Sequence, residues 1–178
     1  GSDEPVDLLA LLKVGRSGPV AFGADRDAVR SSMQATSAQT EDTAPQSDPW
    51  CIYGRDCEFF FSTDHLLRHI KFIPTRPSIS LGGAPVWTDQ TCLDIGNYPA
   101  SFGSDQPGAV AILPAALKLI RERELTAEVG VDPISNAITL ALRENSREIT
   151  LAYAIESLQI DSDKGPTFRI DYFSVRSG

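Results

Sequence analysis

Two histidines and three cysteines are the residues best equipped for chemistry in this 178-residue chain: His65, His69, Cys51, Cys57 and Cys92. A spacing of four places His65 and His69 on one face of either a helix or a strand, where two imidazoles could converge on a metal ion. Cys51, Cys57 or Asp64 would have to complete the ligand set. No Cys-x-x-Cys or His-Glu-x-x-His pattern accompanies them. Two histidines beside a turn are more often surface groups that bond to solvent or backbone, so the expectation is no metal and no cofactor. Cys57 with His65 or His69 could make a nucleophile–base pair, yet neither an orienting third group nor an oxyanion hole is signalled. A thiol beside Phe59, Phe60 and Phe61 behaves instead as a small hydrophobe.

The remaining motifs are weaker still. Asp161 and Asp163, next to Lys164 and Gly165, read as a turn, because a calcium loop needs more ligands and a terminal glutamate. Gly82-Gly83 is not followed by the lysine and hydroxyl residue of a phosphate loop. The Phe59–Phe61 run lacks the interleaved Lys and Arg of a base-stacking platform, so it reads as core strand. No catalytic residue is assigned. The chain is expected to work by presenting a surface.

The elements that must position that surface follow from periodicity and punctuation. Asp7 can cap a first short helix through Leu8, Leu9, Leu11 and Leu12 to about Val14, and Gly15 ends it. Asp25 can cap a second helix, with Val29 and Met33 one turn apart. The Ser-, Thr-, Gln- and Pro-rich stretch 34–49 reads as a mobile loop. Trp50 to Ser62 reads as one strand, or two broken at Gly54-Arg55-Asp56. A turn at Ser62–His65 then leads into a partner strand through Leu67, Ile70, Phe72 and Ile73. Residues 75–107, rich in Pro and Gly but holding Trp87, Leu93, Ile95, Tyr98 and Phe102, read as an ordered excursion packed on the core. Pro114 opens a third helix to about Glu124, with Leu117 and Ile120 expected inward. Period-two alternation then takes over at Leu125–Val131, Ile138–Leu142, Ile149–Ile155 and Phe168–Val175, with a hairpin turn at Asn145-Ser146. Runs of strands after helices, without βαβ alternation, make the class α+β. The sheet is mainly antiparallel, a hairpin plus a C-terminal meander with two or three short helices, in one domain spanning 1–178. Each half shows a helix followed by strands. Gly1-Ser2 looks like a tag-cleavage scar.

Charge supplies the sharpest functional signal. The net charge is −8, and a surplus of carboxylates repels a phosphate backbone, which argues against direct nucleic-acid binding. Between Gln34 and Asp64 stand six acids (Glu41, Asp42, Asp48, Asp56, Glu58, Asp64) and one base, Arg55. Between Trp87 and Ile112 stand three acids (Asp89, Asp94, Asp105) and no base, so these two segments hold the whole excess. Solvated loops would explain this; so would a docking face for a basic partner, and these nine carboxylates are the candidate partner-binding residues. No stretch of 18 apolar residues exists and no secretory leader is visible, so no membrane partner is expected and a reducing cytoplasm is the simplest compartment.

Three local patterns carry a family resemblance. Phe22-Gly23-Ala24-Asp25-Arg26-Asp27-Ala28-Val29-Arg30 resembles the helix start of small bacterial immunity-type proteins encoded beside secreted polymorphic toxins. Trp50 to Phe61, followed by Leu66-Leu67-Arg68-His69-Ile70, is similar to their hairpin, with Arg55 inserted between Gly54 and Asp56. Leu117 to Tyr153 looks like their second helix-and-meander half. The resemblance implies a non-enzymatic cytoplasmic immunity or inhibitor protein that binds and occludes a cognate toxin. A basic toxin is expected, since an enzyme that holds phosphates must be cationic. The rival expectations are a small metal-dependent hydrolase using His65 and His69, and a toxin-binding secretion adaptor or chaperone.

Overall fold

Two four-stranded meanders lie edge to edge and form one sheet. The structure, a computed structural model, describes residues 6–33, 41–42, 50–53, 57–73, 78–79, 85–86, 100–155 and 168–178. The first meander runs β4 (Glu41–Asp42), β5 (Trp50–Tyr53), β6 (Cys57–Phe61) and β7 (Leu67–Phe72). The second runs β11 (Glu128–Val131), β12 (Ile138–Glu144), β13 (Arg147–Ile155) and β14 (Phe168–Ser177). Their last strands pair antiparallel in the middle, giving the eight-strand order β11-β12-β13-β14-β7-β6-β5-β4. Helix α2 (Arg26–Met33) precedes the first meander and α3 (Leu113–Glu122) the second. The helix-then-strands pattern of each half thus becomes two similar units meeting at β7 and β14. The class is α+β with a mainly antiparallel sheet.

Short elements complete the described chain. They are β1 (Val6–Asp7), α1 (Leu8–Val14), β2 (Arg16–Ser17), β3 (Val20–Ala21), β8 (Ser78–Ile79), β9 (Pro85–Val86), β10 (Ala100–Ser101) and a 3-10 turn at Pro107–Val110. Helix α1 is built as its caps dictate. The Asp7 carboxylate accepts from Leu9 N at 3.0 Å and from Gly103 N at 2.9 Å, so one side chain caps the helix and pins a loop 96 residues away. Gly15 closes α1 at φ +73°, a left-handed position that a side chain would strain. Arg147 on β13 then satisfies the helix's last carbonyls, donating to Leu12 O (2.8 Å) and Lys13 O (2.6 Å). For α2, Asp25 Oδ1 accepts from Ala28 N at 2.8 Å.

One hydrophobic core runs beneath both meanders. Leu8, Leu9, Leu11 and Leu12 of α1, Val29 of α2 and Ala116, Leu119 and Ile120 of α3 pack with Phe59, Phe61, Ile70, Phe72, Leu140, Ile149, Leu151, Phe173 and Val175. Tyr153 is fully buried, and its hydroxyl donates to Val110 O at 2.8 Å, tying the 3-10 turn to the sheet. Burial without a charged partner pushes this phenol's pKa upward, so it stays neutral.

Several expectations need correction. Leu117 is exposed, while Ala116 and Leu119 face inward with Ile120; the helical stripe lies one position away from the one expected. Glu41–Asp42 fall inside the stretch read as a loop, yet they pair with β5 in the register Glu41↔Tyr53, Asp42↔Ile52. The rest of 34–49 lies outside the described residues, as do the Gly54–Asp56 break, Gly82-Gly83, Trp87, Cys92 and Asp161–Pro166. The last strand carries an irregularity that alternation alone missed. Its register with β13 shifts between Tyr153↔Ile170 and Ala152↔Tyr172, leaving Asp171 as the extra residue, which is why both Ile170 and Phe173 reach the core.

Candidate functional site

The sheet has two unlike faces. Strand alternation sends Cys57, Phe59, Phe61, Ile70, Phe72, Phe173 and Val175 toward the helices, and Glu58, Phe60, His69, Lys71, Tyr172 and Arg176 to the opposite face. On that second face polar side chains stand in rows that cross the strands. One row reads Glu58, Lys71, Ser174, Thr150, Ala141 and Glu128 by register. The neighbouring row reads Cys51, Phe60, His69, Arg176, Glu148 and Arg143.

The candidate acidic residues sort by these rows. Glu41 and Asp42 fall on β4, Glu58 on β6 and Asp64 in the turn after it, all within the first meander. Asp64 sits exposed in the β6–β7 turn, where the Ser62 hydroxyl donates to it at 2.7 Å; that bond and its own backbone amide hold its pKa below the usual carboxylate range. Glu58 stands opposite Lys71. Asp105 lies elsewhere, on the helix-bearing side, paired with Arg123 just beyond α3. Glu58 and Asp105, the two segments' described inner members, are therefore on opposite sides of the sheet. Asp48, Asp56, Asp89 and Asp94 lie outside the described residues.

The two histidines sit in different settings. His65 occupies the turn at φ +65°, while His69 lies within β7, beyond an irregularity that makes Arg68 the extra residue. The His69 ring stacks on Phe60 with centroids 5.1 Å apart. Burial, then the charges of Arg176 and Lys71, depresses its pKa to about 4, so the imidazole is neutral at physiological pH. Two flanking cations oppose a metal ion at the same place. Among the described residues no group of three or more His, Cys, Asp or Glu could hold one. Cys51 and Cys57 are both buried on opposite faces of the sheet, Cys51 in register with Phe60 and Cys57 with Phe72.

Periodicity did not reveal the remaining polar network. Arg143 bridges Glu128 and Glu148, which raises its pKa further, the Glu148 bond being the larger cause. Tyr172 donates to Asp132 Oδ2 at 2.9 Å and lies under Lys71 Nζ, 4.6 Å from the ring centroid. Burial and that hydrogen bond push the Tyr172 phenol up to about 12. A shallow depression of about 380 Å³ at the β12–β13 hairpin tip is lined by Arg143, Glu144, Arg147, Glu148 and Arg176 among others. Arg147 and Arg143 are already committed there to α1 and to the glutamates, so the depression reads as scaffold. Arg143 and Glu148 flank the Asn145-Ser146 turn, but the Tyr172 contacts with Asp132 and Lys71 were not legible, because only the strand order makes those residues neighbours.

Fold and faces together define an α+β protein whose large sheet leaves one side to polar and aromatic rows and, among the described residues, ends at β11 and β4. No protein-family model matches the chain, and no curated protein or solved structure matches it. Among the described residues no helix is long and apolar enough to cross a membrane.

Proposed function

We propose that this chain is a non-enzymatic immunity or inhibitor protein that neutralises a cognate, basic protein toxin in the cytoplasm by binding and covering it. The observation that carries the reading is the placement of the acidic excess. Glu41 and Asp42 on β4, Glu58 on β6 and Asp64 in the β6–β7 turn, drawn from a segment with six acids and one base, all belong to the meander that ends at β4. Charge gathered at one end of a sheet produces a directional field, which steers a cationic partner and raises its encounter rate. The resemblance to immunity-type proteins points the same way.

Co-expression with the product of the adjacent gene tests it. Cells carrying this chain should survive that toxin, and equal killing with and without the chain overturns the reading. A toxin-binding adaptor would form the complex but leave killing intact. The acidic edge makes a separate prediction. Reversing Glu41, Asp42 and Asp64 to Lys should slow association about ten-fold or more at low salt, with the difference fading as added salt screens the charges. Stopped-flow association at two ionic strengths reads this directly; an unchanged rate removes the acidic edge from the mechanism.

A further inference from the structure

At the opposite end of the sheet from β4, the terminal strand β11 combines features that point to a ligand. Asp132 N donates to Ala137 O at 2.9 Å, continuing the register Val131↔Ile138. In an antiparallel pair hydrogen-bonded positions alternate, so Asp132, Gly130 and Glu128 direct their backbone groups toward β12. Val129 and Val131 therefore direct their N–H and C=O groups away, at an edge that no other described strand pairs with. The same two residues expose their side chains: each is 66% accessible, and Ile134 in the following turn is 94% accessible. Edge strands are normally blunted with lysine, proline or a bulge. Glu128–Val131 contains no lysine or proline, and its register with β12 runs unbroken.

We propose that the β11 edge receives an extended segment of a partner protein as a ninth strand, and that this segment alternates apolar residues with Lys or Arg. Backbone groups of Val129 and Val131 supply the ladder, and their side chains supply an apolar strip for alternate partner residues. The other side of β11 sets the charge. Glu128 and Asp132 flank Gly130 there; Glu128 shares Arg143 with Glu148, which leaves that trio one negative charge in excess, and Asp132 is held ionised by the Ile134 amide and the Tyr172 hydroxyl. A second copy of the chain fits poorly, because antiparallel pairing about Gly130 sets Glu128 of one copy against Asp132 of the other, twice over. A cationic residue at each of those positions turns the repulsion into attraction. This surface lies at the far edge from β4 and does not depend on the acidic-edge reading.

Hydrogen exchange on the full-length, isotope-labelled chain tests the proposal. The probe is a capped Lys-Val-Thr-Val-Lys peptide, compared with capped Lys-Lys-Thr-Val-Val and Glu-Val-Thr-Val-Glu. The alternating cationic peptide should slow exchange at the Val129 and Val131 amides about ten-fold or more, as strand pairing does, while both comparison peptides leave them fast. Val131→Lys and Val129→Lys, both at exposed positions, should each abolish the protection with the circular dichroism spectrum unchanged. Equal protection by all three peptides, or none by any, overturns the proposal. So does protection that appears without peptide and grows with protein concentration, since the occupant would then be a second copy.

Discussion

Phe173→Ala is expected to lower the unfolding free energy by about 3–5 kcal/mol, the usual cost of emptying a fully buried phenylalanine site. Phe173 is 0% exposed and sits on β14, in register with Leu151 on β13 and Phe72 on β7. Its ring stacks on Phe72 with centroids 5.2 Å apart. Among the described strands the two meanders pair along this seam alone, whose register covers Phe173↔Phe72 to Arg176↔His69. Removing the ring therefore takes packing from the core and from the joint between halves together. Denaturant unfolding should show a lower midpoint with the slope preserved, in a single transition. A loss below about 1 kcal/mol would mean the site collapses freely and the seam is not a packed joint. Two separated transitions would mean that each meander folds without the other.

That seam also marks where sequence reading stops. Elements whose partners are local were legible. The Asn145-Ser146 turn, with φ of +49° and +62°, joins β12 to β13, and the Ser62–His65 turn joins β6 to β7. The caps Asp7, Gly15 and Asp25 were legible for the same reason, since a cap acts within one helical turn. Pairing β7 with β14 brings together segments about a hundred residues apart, and no turn chemistry connects them. Rows of side chains across the sheet depend on that pairing, so Lys71 beside Tyr172 and Arg176 beside His69 could not be foreseen.

The candidate site divides along the same line. Glu41, Asp42, Glu58 and Asp64 share one meander because its connections are local. Asp105 separates from them because its loop follows β10 and returns to Arg123 beyond α3. Alternation at Val129 and Val131 correctly announced a strand, but periodicity carries no information on whether a strand lies inside a sheet or at its edge. Their exposure is thus a consequence of strand order. The Leu117 error has a related origin. Helical spacing admits two neighbouring apolar stripes on α3, and the sheet beneath chose the one containing Ala116 and Leu119.

His69 makes stability fall with acidity above the range where most carboxylates titrate. Its folded pKa is about 4 against an ordinary 6.5, because burial and the charges of Arg176 and Lys71 disfavour the imidazolium. Between those values the unfolded chain binds a proton that the folded chain refuses, so unfolding gains from every drop in pH. Near pH 7 both forms are neutral and the group contributes nothing to the dependence. Below 6.5 stability declines, reaching a loss of about 2–3 kcal/mol by pH 4. His69→Phe keeps a ring against Phe60 and removes the titration, so its stability should be flat between pH 6.5 and 5 where the parent's falls. His65 is the only other histidine and is present in both proteins, so the difference isolates His69. Urea midpoints at pH 7, 6 and 5 measure it, and parallel slopes for the two proteins would place His69 in water. A direct imidazole titration by NMR gives an independent reading: a midpoint near 4 keeps Arg176 and Lys71 as its close neighbours, whereas one near 6.5 separates them.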